Sequence, residues 1–164
     1  MGDVAAPIAP LVIANPTGEP IASGSFRAQV VHAAPDAPAV DVFVTAPGAD
    51  LAASTPINAA PLAYQQSTDR IQAPAGDYQV RVTLGGNPAT VVFDSGVIAL
   101  PAAADLLVAA VENTGPGTTP IQLVVLDGTA AADLLDANTP ASAVAVHASP
   151  DAPAVDRHAD RTAP

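Results

Sequence analysis

The chain of 164 residues contains no cysteine, no tryptophan and no lysine, and aromatic residues make up only 3% of it. Without cysteine there is no disulfide framework, no thiolate nucleophile and no zinc-thiolate site, and the redox compartment is left open. With so few aromatics, the 49% hydrophobic content rests mostly on Ala and Val. Small side chains fill little volume, so one large core is not expected. Positive charge is scarce as well: five Arg stand against 16 Asp plus Glu, a net charge of −11. Such a surface repels phosphate backbones, which argues against a nucleic-acid partner. The acidic residues are nearly all Asp, as suits a solvated surface in salty or divalent-rich surroundings, or a high-GC genome. Pro, Gly or Asp breaks every apolar run before the roughly 18 residues that a membrane-spanning helix needs, so no transmembrane segment is expected. The 18 Pro and 11 Gly leave no room for long helices and exclude all-α and coiled-coil readings.

What is present is a repeat. Val31-His32-Ala33-Ala34-Pro35-Asp36-Ala37-Pro38-Ala39-Val40-Asp41 returns as Val146-His147-Ala148-Ser149-Pro150-Asp151-Ala152-Pro153-Ala154-Val155-Asp156, with ten of eleven positions identical. An Ala-rich composition does not produce this by accident, and the expectation is tandem domains. Leu11-Val12-Ile13-Ala14-Asn15 before the first copy also resembles Leu123-Val124-Val125-Leu126-Asp127 before the second. The organisation expected is therefore residues 1–23 as the last strand of a preceding repeat and 24–130 as one whole repeat. Residues 131–142 then form a linker, and 143–164 the start of a second repeat. After Asp156 the tail Arg157–Pro164 is polar where the first copy continues Val42-Phe43-Val44-Thr45, so it is not the same strand. A truncated or frameshifted reading frame and a natural tail both account for it. The start, Met1-Gly2-Asp3-Val4, has no basic region leading into an apolar stretch, hence no signal peptide. Either the protein is cytoplasmic or its export signal lies upstream, and the repeat favours the second.

Short strands are the dominant local pattern. Asp77–Leu84 alternates with period two, Tyr78, Val80, Val82 and Leu84 facing one way and Asp77, Gln79, Arg81 and Thr83 the other. It opens after Pro74-Ala75-Gly76 and turns through Gly85-Gly86-Asn87-Pro88 into Thr90–Asp94, a hairpin signature. Gly85-Gly86 is a turn rather than a phosphate cradle, because no helix with a Lys follows. Further strands are expected at Phe26–His32, Val40–Thr45, Leu62–Gln65, Val97–Leu100, Asp105–Val111 and Ile121–Leu126. The segments Asp105–Val111 and Ile121–Leu126 are apolar on both faces, as in central strands or an inter-repeat contact. Short helical turns are conceivable at Ala102–Leu107 and Gly128–Leu135. Seven or eight short strands broken by Pro and Gly predict an all-β, Ig-like antiparallel β-sandwich. Its core would be Val, Leu, Ile and the five aromatics Phe26, Phe43, Tyr64, Tyr78 and Phe93.

The segment Arg27–Val44 strongly resembles the opening of the bacterial and archaeal DUF4397 domain, a family of unknown function. Pro74–Val82 resembles that family's middle hairpin strand, and the likeness covers about residues 26–127. The resemblance implies a secreted or cell-envelope protein with tandem copies, and it carries no established catalytic residues.

One segment offers candidate chemistry. His32, Asp36 and Asp41 lie close together in a loop stiffened by Pro35 and Pro38. Asp36 and Asp41 are candidate metal ligands, Ca²⁺ being the one possible cofactor. No DxDxDG-type loop is present, however, and hard cations want six or more oxygens. The competing reading is architectural: Asp36 makes an Asx turn, Asp41 bonds backbone at the strand start and His32 ties down the same loop. No GxSxG motif or nucleophile triad stands out, and an enzyme is not expected. The reading is thus a structural or adhesive repeat module, extracytoplasmic, whose partners are neighbouring repeats and a cell-surface polymer or carbohydrate. A carbohydrate- or calcium-binding module, with Tyr64 as the only sugar platform, is the alternative, and a hydrolase comes third. Sixteen acidic groups repel one another in the compact state. The melting temperature is therefore expected to rise as NaCl is added from about 10 mM to about 200 mM, where screening takes hold; a salt-independent melt contradicts this.

Overall fold

A computed structural model describes residues 10–13 and 19–140. Eight strands are found among them: β1 Ser25–His32, β2 Val40–Thr45, β3 Ile71–Pro74, β4 Gly76–Leu84, β5 Asn87–Leu100, β6 Asp105–Glu112, β7 Ile121–Leu126 and β8 Ala131–Leu134. They form two sheets, one of five strands in the order β3-β1-β6-β7-β8 and one of three in the order β2-β4-β5. The fold is all-β, as expected, but not wholly antiparallel: β1 and β6 run parallel, Arg27 opposite Asp105 through His32 opposite Ala110. A parallel pair needs a long crossover, and here the whole three-stranded sheet provides it.

Alternation explains which side chains are inside. In β1, Phe26, Ala28 and Val30 are buried while Arg27 and Gln29 between them are partly exposed. In β4, Val80 and Val82 point between the sheets as expected. Val30, Val40, Val42, Leu62, Val82, Phe93, Ala110, Ile121 and Leu123 make one contiguous core cluster. The opposite face of the narrow sheet is also shielded, since Asp41, Phe43 and Thr83 are all buried. Residues 46–61 account for this: their single 3-10 turn, Leu51–Ala53, lies against β5 and buries Leu51. Arg81 holds that segment by donating to the Ala49 carbonyl at 2.6 Å and the Thr45 hydroxyl at 3.1 Å.

Several expected boundaries move. Thr90–Asp94 and Val97–Leu100 are one strand, β5, bent at Ser95-Gly96, where the register against β4 slips by a residue. Gly96 has φ +62°, a conformation open to glycine, and the Ser95 hydroxyl accepts the Val80 N–H at 2.9 Å in place of the lost ladder bond. Leu62–Gln65 is not a strand; only Leu62 makes an isolated bridge, to Val40. β8 lies beyond residue 130, where the repeat was expected to end, and falls in the expected linker 131–142 and in the segment considered for a helical turn. It pairs with β7 from Leu123–Leu134 to Leu126–Ala131. The expected pieces at 1–9, 14–18 and 141–164, including the second motif copy, lie outside the described residues.

The parallel β1–β6 pair is locked by its first register partners. Arg27 grips Asp105 with both prongs of its guanidinium, Nε to Oδ1 at 3.0 Å and the terminal nitrogen to Oδ2. That fork holds the Asp105 carboxyl below its usual range, more than enough to offset partial burial. A carboxyl lowered in the folded state stabilises it above the unfolded pKa and stops doing so as pH falls through the folded value. The stability gap between the wild type and Asp105→Asn is therefore expected in full at pH 7, should start to shrink near about pH 4, the ordinary Asp value, and should be lost as pH falls through the lower folded value. Urea titrations across pH measure it, and a gap that persists in acid rules out the ion pair as its source.

Candidate functional site

The recurring motif occupies the corner between β1 and β2, on different sheets. His32 ends β1 and is 1% exposed. Its backbone N–H donates to the Gln66 carbonyl and its carbonyl accepts from the Gln65 N–H. The ring spans the loop: Nε2 lies 3.0 Å from the Pro38 carbonyl and Nδ1 lies 3.4 Å from the Ala34 N–H. With the proton on Nε2, the ring donates to Pro38 and accepts from Ala34. Pro35 and Asp36 occupy the two central positions of a turn closed by the Ala37 N–H on the Ala34 carbonyl at 3.3 Å. Proline's fixed φ suits the first of those positions.

The Asx turn expected of Asp36 is not formed: among the described residues no hydrogen bond of its carboxylate closes the loop. Asp36 is exposed, and it ties the turn to β6 through its own backbone N–H, which donates to the Glu112 carboxylate at 3.2 Å. Asp41 carries the load instead. It is 7% exposed, and its two oxygens accept separately: Oδ1 from the Asn58 side chain at 2.8 Å and Oδ2 from the Gly86 N–H at 2.7 Å. One buried carboxylate thereby joins β2, the β4–β5 turn and the loop before Leu62. His32, Asp36 and Asp41 are therefore not gathered around a shared point, and among the described residues no group of three His, Cys, Asp or Glu is placed to hold a metal. Tyr64, the expected sugar platform, is 44% exposed and sets its ring edge-on to His32 at 6.5 Å between centroids.

Sequence reasoning missed Asn58. It is buried, and its Oδ1 accepts the Val42 N–H at 2.8 Å while its amide nitrogen donates to Asp41 and to the Ala60 carbonyl, both at 2.8 Å. The Ile57 N–H donates to the Val42 carbonyl at 2.8 Å, so both backbone groups on the free edge of β2 at Val42 are satisfied. The other free edge of the narrow sheet is clamped in the same way at one residue. At Asp94 in β5, the N–H donates to Asp136 Oδ2 at 2.7 Å and the carbonyl accepts the Ala137 N–H at 2.8 Å. Asp94 in turn accepts from Gln79 Nε2 and the Gly96 N–H. Around this second clamp lies a polar hollow of about 320 Å³ that also reaches Arg81, Thr118 and Thr119.

Two sheets joined at a buried polar corner, with the smaller sheet clamped at Val42 on one edge and at Asp94 on the other, define a two-sheet all-β module. The chain belongs to the DUF4397 family: the family model, described as a domain of unknown function, matches residues 44–158. No curated protein and no solved structure matches the chain.

The corner makes a graded prediction. Asp41→Ala and Asn58→Ala each leave buried groups without partners and should cost about 1–3 kcal/mol per orphaned group. Asp36→Ala should stay within about 0.5 kcal/mol, as exposed substitutions do. Urea unfolding of the three variants measures the order, and a large loss at Asp36 reverses this assignment.

Proposed function

We propose that this protein is a non-enzymatic structural or adhesive module, one unit of a tandem array in a secreted or cell-surface protein. One observation carries the reading: the polar side-chain atoms of His32 and Asp41, in the segment that the chain repeats, are engaged by the corner itself. A segment kept for binding would leave ligand atoms free. One kept for architecture uses them internally. The Arg27–Asp105 fork and the clamps at Val42 and Asp94 fit the same reading, since they favour a rigid unit. The partners are then neighbouring repeats and a surface polymer or carbohydrate, and the setting is extracytoplasmic.

The test is thermal melting in EDTA and in millimolar Ca²⁺ at fixed ionic strength, because a ligand specific for the folded state raises the transition by mass action. No shift is expected, for the wild type or for Asp36→Ala. An upward shift that Asp36→Ala abolishes would replace this reading with a calcium-binding module.

A further inference from the structure

The two ends of the sandwich are packed differently. Toward the His32 corner, Phe93, Ile121 and Leu123 are each at most 2% exposed. Toward the other end the inner faces do not close on each other. Val44, Val80, Ile98, Leu106 and Val108 face the space between the sheets yet remain only partly buried. They line a cavity of about 290 Å³. Facing sheets stand about 10 Å apart, and the lining, mostly aliphatic with Phe26 as its one aromatic, does not fill that distance here. Phe26, fully buried with Tyr78 packed edge-on at 5.3 Å, is the aromatic that reaches into this end.

We infer that this space is a binding site for a single uncharged aliphatic chain. All seventeen lining residues are Ala, Val, Leu, Ile, Phe or Pro, so nothing inside is placed to recognise a polar group or to hold water. The volume is about twice that of an engineered cavity that takes up benzene, which suits a chain rather than one small ring. The cavity reaches the surface beside Ala99 and Pro101, both exposed, so a chain has a way in. Charge decides the head group. The chain as a whole carries −11, a field that acts on any charged group brought to the surface. An anionic head at that mouth is repelled, and a neutral one is not. Filling the space restores the dispersion contacts that an unfilled void forgoes.

The experiment uses the full chain and N-phenyl-1-naphthylamine, a dye that brightens in apolar surroundings, with 1-decanol and decanoate as competitors. Saturable one-to-one binding is expected, displaced by 1-decanol and at least ten-fold less effectively by decanoate at pH 8. Ala28→Leu and Val108→Phe narrow the cavity from two neighbouring strands of the wide sheet, β1 and β6. Each should weaken the dye at least ten-fold while melting at or above the wild-type temperature. Val97→Ser, an exposed site outside the lining, should leave binding unchanged. Independently of any variant, 1-decanol should raise the melting temperature of the wild type. Absence of saturable binding together with an unmoved melt overturns the proposal and shows a void or a segment of the chain itself in that space. Binding that survives in a folded filling variant overturns it in favour of the outer surface. Displacement by decanoate as strong as by decanol overturns the choice of an uncharged head.

Discussion

A three-stranded sheet has two edges, and in so small a sheet every strand but one is an edge. That constraint organises much of this molecule. Unpaired N–H and C=O groups on an exposed edge invite another chain, and burial without partners costs about 1–3 kcal/mol per group. The solution is used twice: a side-chain oxygen accepts the strand N–H, from Asn58 at Val42 and from Asp136 at Asp94, and a neighbouring loop N–H donates to the strand carbonyl. The long connection at 46–61 and the run after β8 owe their positions to these two clamps. The corner depends on the first clamp in turn, because Asn58 also holds the Asp41 carboxylate.

How much of this was legible follows from how local each signal is. β1, β2, β4, β6 and β7 were visible because alternation or a β-rich run marks a strand within its own eight residues. β3 and β8 were not. Ile71-Gln72-Ala73-Pro74 is too short to alternate, and Ala131-Ala132-Asp133-Leu134 contains no β-branched or aromatic residue; both are strands only because a neighbour pairs with them. The split of β5 in two was the reading of Ser95-Gly96 as punctuation, where the structure uses the pair as a bulge inside a continuing strand.

The site divides in the same way. The motif announced a corner, and the roles of His32 and Asp41 as internal ties were available as one of two readings. Which carboxylate carries the corner was not, since Asp36 and Asp41 look alike in sequence and differ in burial. Asn58 and Asp136 were out of reach altogether, because each meets its strand across a loop that no local pattern encodes. The shortage of aromatic residues, by contrast, was read at once as a limit on the core. In three dimensions it shows in the cavity between the sheets, where Phe26 is the one aromatic in the lining.

The parallel pairing of β1 with β6 bears on the order in which the molecule assembles. The second strand of the wide sheet, β1, waits for an inner partner that the chain supplies 78 residues later, at Asp105 for Arg27. Until then β1 has only the four-residue β3 beside it, while β2, β4 and β5 already complete their own sheet. Closing so large a loop precedes any reward from the contacts it brings, which places the protein among slow folders governed by non-local contacts, on the order of milliseconds to seconds. A nascent chain emerging from its N-terminus thus carries a finished small sheet and an unfinished large one, and becomes a single cooperative unit only when its last third arrives.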